Sequence, residues 1–137
     1  MRPIKFRAWD GDKMTGKIAI AGNGFVTTWD EGDSLTGVRL KSVDWPTMQF
    51  TGLADKNGKE IYEGDILAHP SGRLMPWLIT FYDGAFVLQN IMEGRQMHMS
   101  DIFPFNQSSA RDREVVGNRF ENPELLSEPP SRKEGEQ

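Results

Sequence analysis

Asp10-Gly11-Asp12 is the first place in this chain where side chains of a suitable type stand close enough for chemistry. Two carboxylates at i and i+2 can open a calcium loop or a phosphotransfer site. A calcium loop counted from Asp10 needs further acidic ligands and a glutamate at its twelfth position, which is Ala21. A phosphotransfer Asp-x-Asp motif needs an apolar buried strand before it and a threonine in register after it. Lys13 and Met14 stand there instead. The reading that survives is a turn, because Asp and Gly tolerate positive φ and Asp caps its own backbone.

His69 and His98 are the only histidines. Their spacing does nothing to bring them together on one metal. Met97-His98-Met99 offers soft copper ligands, but isolated methionines in such a run more commonly fill mixed faces of a strand or loop. Neither histidine has a serine or cysteine at a nucleophile-motif spacing. There is no cysteine, which removes disulfides, thiolate zinc sites and cysteine nucleophiles. The glycines are scattered at turn positions and form no phosphate-cradling loop. The expectation is therefore a protein without catalytic residues, metal or cofactor, not an enzyme.

Two binding chemistries remain. Arg2, Lys5 and Arg7, followed by Lys13 and Lys17, make the N-terminus locally basic and offer nucleic-acid contacts. The competing reading is an edge strand that uses charge against aggregation. Trp9, Trp29, Trp45 and Trp77, with Phe81, Tyr82, Phe86, Phe103 and Phe105, are many aromatics for 137 residues. Exposed, they could grip proline-rich peptides or single strands; buried, they fill a small core or an oligomer interface.

Net charge is −4. Most of it comes from Glu121–Gln137, which holds five acidic residues, two basic ones and three prolines. Such a stretch buries too little apolar surface to offset its chain entropy. The remainder is close to neutral, against the basic surplus of strong nonspecific nucleic-acid binders. No run approaches a membrane span, and the N-terminus lacks a signal peptide's apolar region, so a cytoplasmic protein without membrane contact is expected.

The elements that must position these groups read as short strands. Ile4, Phe6 and Ala8 alternate with Lys5 and Arg7, which predicts a strand over 3–9. Lys17–Ala21 and Phe25–Trp29 flank Gly22-Asn23-Gly24, a hairpin signal. Gly37–Val43 and Met48–Thr51 alternate too. Asn57-Gly58 and Glu63-Gly64-Asp65 are sharp turns, the second just before the strand Ile66–His69. Trp77–Tyr82 and Ala85–Leu88 flank Asp83-Gly84, the clearest two-residue hairpin in the chain. Ile102 and Phe103, like Met97 and Met99, are candidate strand residues; Ser108–Arg113 is polar and reads as loop. Glu114–Phe120 reads as a last strand with a bend at Gly117-Asn118. Asn122-Pro123-Glu124 is a helix start, with Asn122 as cap, for a short helix ended by Pro129-Pro130.

Three blocks in order resemble the YopX family of phage and prophage proteins: Ile4–Asp10; Met48–Leu53 running into Asp55–Ile66; and Val115–Leu126. The resemblance implies an SH3-like small barrel in the C-terminal part and an N-terminal region that helps assemble subunits. It carries over no catalytic residue. The expected organisation is mostly β: an N-terminal β region over 1–46, a barrel module with a short C-terminal helix over 47–126, and a disordered acidic tail over 127–137. Asn57, Gly58, Gly64 and Asp65 are read as turn determinants of that barrel. The expected role is a non-enzymatic phage or prophage accessory, a homo-oligomer that binds a host or phage protein. The alternative is a nucleic-acid-binding module using Arg2, Lys5, Arg7 and exposed aromatics.

Overall fold

Alternation of apolar and polar side chains over short windows, cut by glycine turns, yields a mostly β fold. The computed structural model describes residues 3–31, 38–71, 76–90 and 102–126. They divide into two units, Pro3–Gln49 and the residues from Phe50 onward.

In the first unit, β1 (Phe6–Trp9) pairs antiparallel with β2 (Met14–Thr15) and with the opening residues of β6 (Thr47–Ala54), Arg7 lying opposite Met48. β3 (Ile18–Ile20), β4 (Val26–Glu31) and β5 (Val38–Val43) form a three-stranded antiparallel sheet. Gly22-Asn23-Gly24 joins β3 to β4, with Gly24 at φ +92° and its N–H donated to the Ala21 carbonyl at 2.8 Å. Ala8 and Met48 are almost wholly shielded from solvent.

The second unit is built from antiparallel strands in two groups. Its five-stranded part has the order β11-β10-β9-β8-β12, built from β8 (Asp65–Leu67), β9 (Trp77–Tyr82), β10 (Ala85–Asn90), β11 (Ile102–Pro104) and β12 (Val115–Asn118). The later residues of β6 pair separately with β7 (Glu60–Tyr62). Every pairing is antiparallel. A bulge between Val115 and Gly117 bends β12, a device that tightens curl. Asp83 and Gly84 have φ of 52° and 83°, the left-handed pair that matches a two-residue hairpin to strand twist.

The core gathers Ile61, Leu67, Trp77, Ile79, Leu88, Ala110 and Val115. Burying each large aliphatic side chain is worth about 1.5–3 kcal/mol. β9 shows how local this protection is. Trp77, Leu78 and Ile79 are buried, so both faces are covered at its start, whereas Phe81 and Tyr82 at its end are 53% and 37% exposed.

Residues 108–113, read as loop, contain a helix instead: α1 (Gln107–Arg111). Its polar sequence hides the signal. Asn106 Oδ1 accepts the Ser109 N–H at 3.1 Å, and Ser109 Oγ accepts the Asn106 N–H at 2.9 Å. This capping box satisfies the free amides of a turn too short to hold by propensity. The short C-terminal helix is a 3-10 turn over Pro123–Leu126. Asn122 does not cap it with its side chain. Asn122 Oδ1 turns back and accepts the Asn118 N–H at 3.1 Å. Met97, Met99, His98 and the tail 127–137 lie outside the described residues.

Candidate functional site

The two glycine turns are both fastened to β12. At the first, Asp55 Oδ1 accepts the N–H groups of Asn57 and Lys59 at 2.8 and 2.9 Å. Gly58, at φ +83°, closes the turn by donating its N–H to the Asp55 carbonyl at 3.0 Å. The other carboxylate oxygen, Asp55 Oδ2, accepts the Val115 N–H at 2.9 Å. Lys56 donates its N–H to the Arg113 carbonyl at 2.9 Å, and its ammonium stands 4.0 Å from Glu114, an exposed pair of little weight. Burial pushes the Asp55 carboxyl upward, but the amides of Val115, Lys59 and Asn57 outweigh it and hold it below the usual aspartate value.

At the second turn Gly64 sits at φ +89°. Its N–H donates to Ile79 and its carbonyl accepts from Arg119, at 2.8 and 2.9 Å. Asp65, 2% exposed, accepts the Tyr62 N–H through Oδ2 at 2.8 Å. Asn57, Gly58, Gly64 and Asp65 therefore stand in two turns tied to the sheet. Asp55, the residue that does most of the tying, was not singled out from sequence.

The remaining candidates are dispersed. Asp10 Oδ1 accepts the amides of Asp12 and Lys13, both at 2.8 Å, which lowers its pKa and closes the Asp10–Lys13 turn. Among the described residues no group of three His, Asp or Glu could hold a metal ion. Ser71 Oγ lies 2.8 Å from His69 Nδ1, but the same nitrogen accepts the Ser71 N–H at 3.0 Å, so the pair closes a local turn. Lys5 is exposed and Arg7 half-buried, and each is already engaged in interactions within the protein. Lys13 pairs with Asp10 at 3.4 Å. Arg2 lies outside the described residues.

The second unit has a shallow concave face. An open cleft of about 550 Å³ is lined by Pro70, Trp77, Phe103, Pro104, Ser108 and Arg113, among others. Phe103 meets Trp77 edge-on at 5.0 Å, and the Arg113 guanidinium stacks on the Trp77 ring at 5.7 Å. One arm of Arg113 donates to the Ser109 carbonyl at 3.1 Å. Burial lowers the Arg113 pKa, partly opposed by the charge of Asp112. Trp77 Nε1 and Arg113 Nε are both buried and find no acceptor among the described residues. Leaving a buried donor unpaired costs about 1–3 kcal/mol.

With this geometry in hand, the chain can be set against known proteins. The family model described as YopX protein matches residues 5–127. The chain belongs to the YopX family. Two solved structures share the fold. The protein EF1440 from Enterococcus faecalis is 29% identical, with a TM-score of 0.60 over 92% of this chain and 99% of that one. The protein yopX from Bacillus subtilis is 22% identical, with a TM-score of 0.58 over 94% of this chain and 99% of its own. No curated protein matches the chain. The YopX match spans both glycine turns, the cleft residues and β12, so the tied turns lie within the family's own domain.

Proposed function

We propose that this YopX-family chain is a non-enzymatic protein-interaction module that assembles with copies of itself and serves as a phage or prophage accessory in the cytoplasm. The observation that carries the reading is the end of β9. Phe81 and Tyr82 stand on opposite faces of one strand, both exposed, and Phe81 packs edge-on against Phe86 at 5.1 Å. Aromatic surface held rigidly on a hairpin is characteristic of contact surfaces.

The non-enzymatic part draws support from how the perturbed carboxylates are used. Asp10 and Asp55 both have lowered pKa values, and both spend their oxygens on groups within the protein: the amides of their own turns and, for Asp55, the Val115 amide as well. Perturbed groups mark catalytic sites only when they face a substrate. No helix among the described residues is long and apolar enough to cross a membrane. The phage association rests on the family resemblance alone, and a host or phage protein is the partner it implies.

Size-exclusion chromatography with light scattering tests the assembly. A concentration-dependent oligomer that dissociates on Phe81→Ser is the expected result. A monomer at every concentration overturns the self-assembly reading. Titration with single- and double-stranded oligonucleotides at low salt tests the nucleic-acid alternative; tight, salt-sensitive binding weakened by Lys5→Ala would replace the proposal.

A further inference from the structure

We propose that Asn23-Gly24 is a site of self-modification, where the Gly24 nitrogen attacks the Asn23 side-chain amide and leaves aspartate or isoaspartate. Asp55 withholds the same reaction from the Asn57-Gly58 turn. Asparagine is thermolabile, and a following glycine has no Cβ to crowd the attacking nitrogen. Neither statement depends on what the chain binds.

The two turns are built alike. Ala21 and Asp55 each donate their N–H to the carbonyl four residues on, of Phe25 and Lys59, at 2.9 and 2.8 Å. Gly24 and Gly58 donate back to the carbonyls of Ala21 and Asp55 at 2.8 and 3.0 Å, with φ of +92° and +83°. Asn23 and Asn57 therefore hold the same place in the same kind of turn, and both are exposed.

They differ in what takes the last N–H of the turn. Asn23 Oδ1 itself accepts the Phe25 N–H at 3.1 Å. This bond closes a ring that contains both the Asn23 amide carbon and the Gly24 nitrogen, so the reacting atoms are held near one another. The Phe25 N–H also faces the oxygen on which negative charge collects during attack. In the other turn Asp55 Oδ1 accepts the matching Lys59 N–H at 2.9 Å, and the Asn57 N–H at 2.8 Å. Among the described residues no hydrogen bond draws the Asn57 amide toward Gly58. The carboxylate beside that turn opposes a second negative charge.

Opening differs too. Attack needs the glycine N–H released from its carbonyl, so each turn must open first. The 55–59 turn is tied to distant backbone by Asp55 Oδ2, which accepts the Val115 N–H, and by the Lys56 N–H on the Arg113 carbonyl, both at 2.9 Å. Among the described residues no hydrogen bond ties Gly22, Asn23 or Gly24 to a segment beyond their own turn.

The step balances with water alone. Hydroxide takes the Gly24 amide proton, and the nitrogen's electron pair forms a bond to Asn23 Cγ. The Cγ–Nδ2 bond breaks, and Nδ2 gains a proton from water and leaves as ammonia. Water then opens one of the two carbonyl–nitrogen bonds of the resulting succinimide. One opening gives aspartate and a new negative charge. The other gives isoaspartate, which adds a carbon to the main chain between Ile20 and Val26, residues paired across β3 and β4.

The test incubates the full, folded chain at mildly alkaline pH and follows both sites by mass spectrometry, with isoaspartyl methyltransferase labelling to detect isoaspartate. Cleavage after Glu31 and Glu60 gives Met1–Glu31 and Gly32–Glu60, each with a single asparagine. Asn23 is expected to react about tenfold faster than Asn57, the factor that one charge-assisted hydrogen bond puts on an opening equilibrium. In concentrated urea the two rates should converge. Asp55→Ala should raise the Asn57 rate. Ala21→Asp puts a carboxylate at the place Asp55 holds in its own turn and should slow Asn23. Ala21 is exposed, so this variant serves even where Asp55→Ala fails to fold. Equal rates in the folded chain overturn the inference. So does a faster Asn57, a gap that survives urea, or an Asn23 rate that Ala21→Asp leaves unchanged.

Discussion

Asp55 and Val115 are 60 residues apart, and a carboxylate oxygen of the first accepts the buried backbone N–H of the second at 2.9 Å. The same side chain organises the Asn57-Gly58 turn through two more amides. One carboxylate thus closes a local turn and fixes where β12 joins the sheet.

Replacing Asp55 with alanine should destabilise the fold by about 2–4 kcal/mol, since charge-assisted bonds are lost and a buried amide is left unpaired. Urea unfolding checks this. The midpoint should fall with little change in slope. A loss below about 0.5 kcal/mol would mean that the turn and β12 hold without it.

Asp55 and Asp10 both bind protons less readily than ordinary aspartate. A carboxyl whose folded pKa is lowered adds stability above its unfolded value, about 3.9, and loses it as pH falls through the folded value. The urea midpoint should therefore decline below about pH 4 on that account. In Asp55→Asn the plateau should be lower and the acid decline shallower, with the share from Asp10 retained. An unchanged acid limb in that variant would show that Asp55 does not govern it.

Gly58 and Gly117 are required for different reasons. Gly58 has φ +83° and open space where a side chain would go. Gly58→Ala should cost about 1–2 kcal/mol from backbone strain alone.

Gly117 has no positive φ, but a Cβ there would lie 2.5 Å from Asn122 Oδ1. Gly117→Ala should displace Asn122 and break its bond to the Asn118 N–H. Asn122→Ala removes the two nearest atoms and leaves only its Cβ, at 3.0 Å, so the cost of Gly117→Ala should shrink by about 0.5–3 kcal/mol in that background, the range for contacting pairs. A double-mutant cycle by thermal or urea unfolding measures it. Strict additivity would place the conflict elsewhere.

Local signals proved sufficient for much of the β architecture. Asp83-Gly84 demands left-handed φ, so its hairpin is readable without any partner. The alternation at Phe6–Trp9 and the turn at Gly22–Gly24 are local in the same sense, whereas the bend expected at Gly117-Asn118 falls just before it, as the bulge between Val115 and Gly117. α1 escaped because five mostly polar residues carry no apolar period; its stability comes from the Asn106–Ser109 capping box and the burial of Ala110. Asn122 had the residue type of a helix cap but spends its side chain on Asn118 instead.

Sequence alone determined where the chain must turn, which stretches alternate, and which family it resembles. Those properties depend on φ preferences and side-chain periods within a few residues. Only the tertiary structure decided that Asp55 would meet Val115, that Arg113 would stack on Trp77, and that Phe81 and Tyr82 would stay exposed while Trp77, Leu78 and Ile79 were covered. These depend on which distant segments close against one another, and neither a residue's type nor its neighbours in sequence encode that closure.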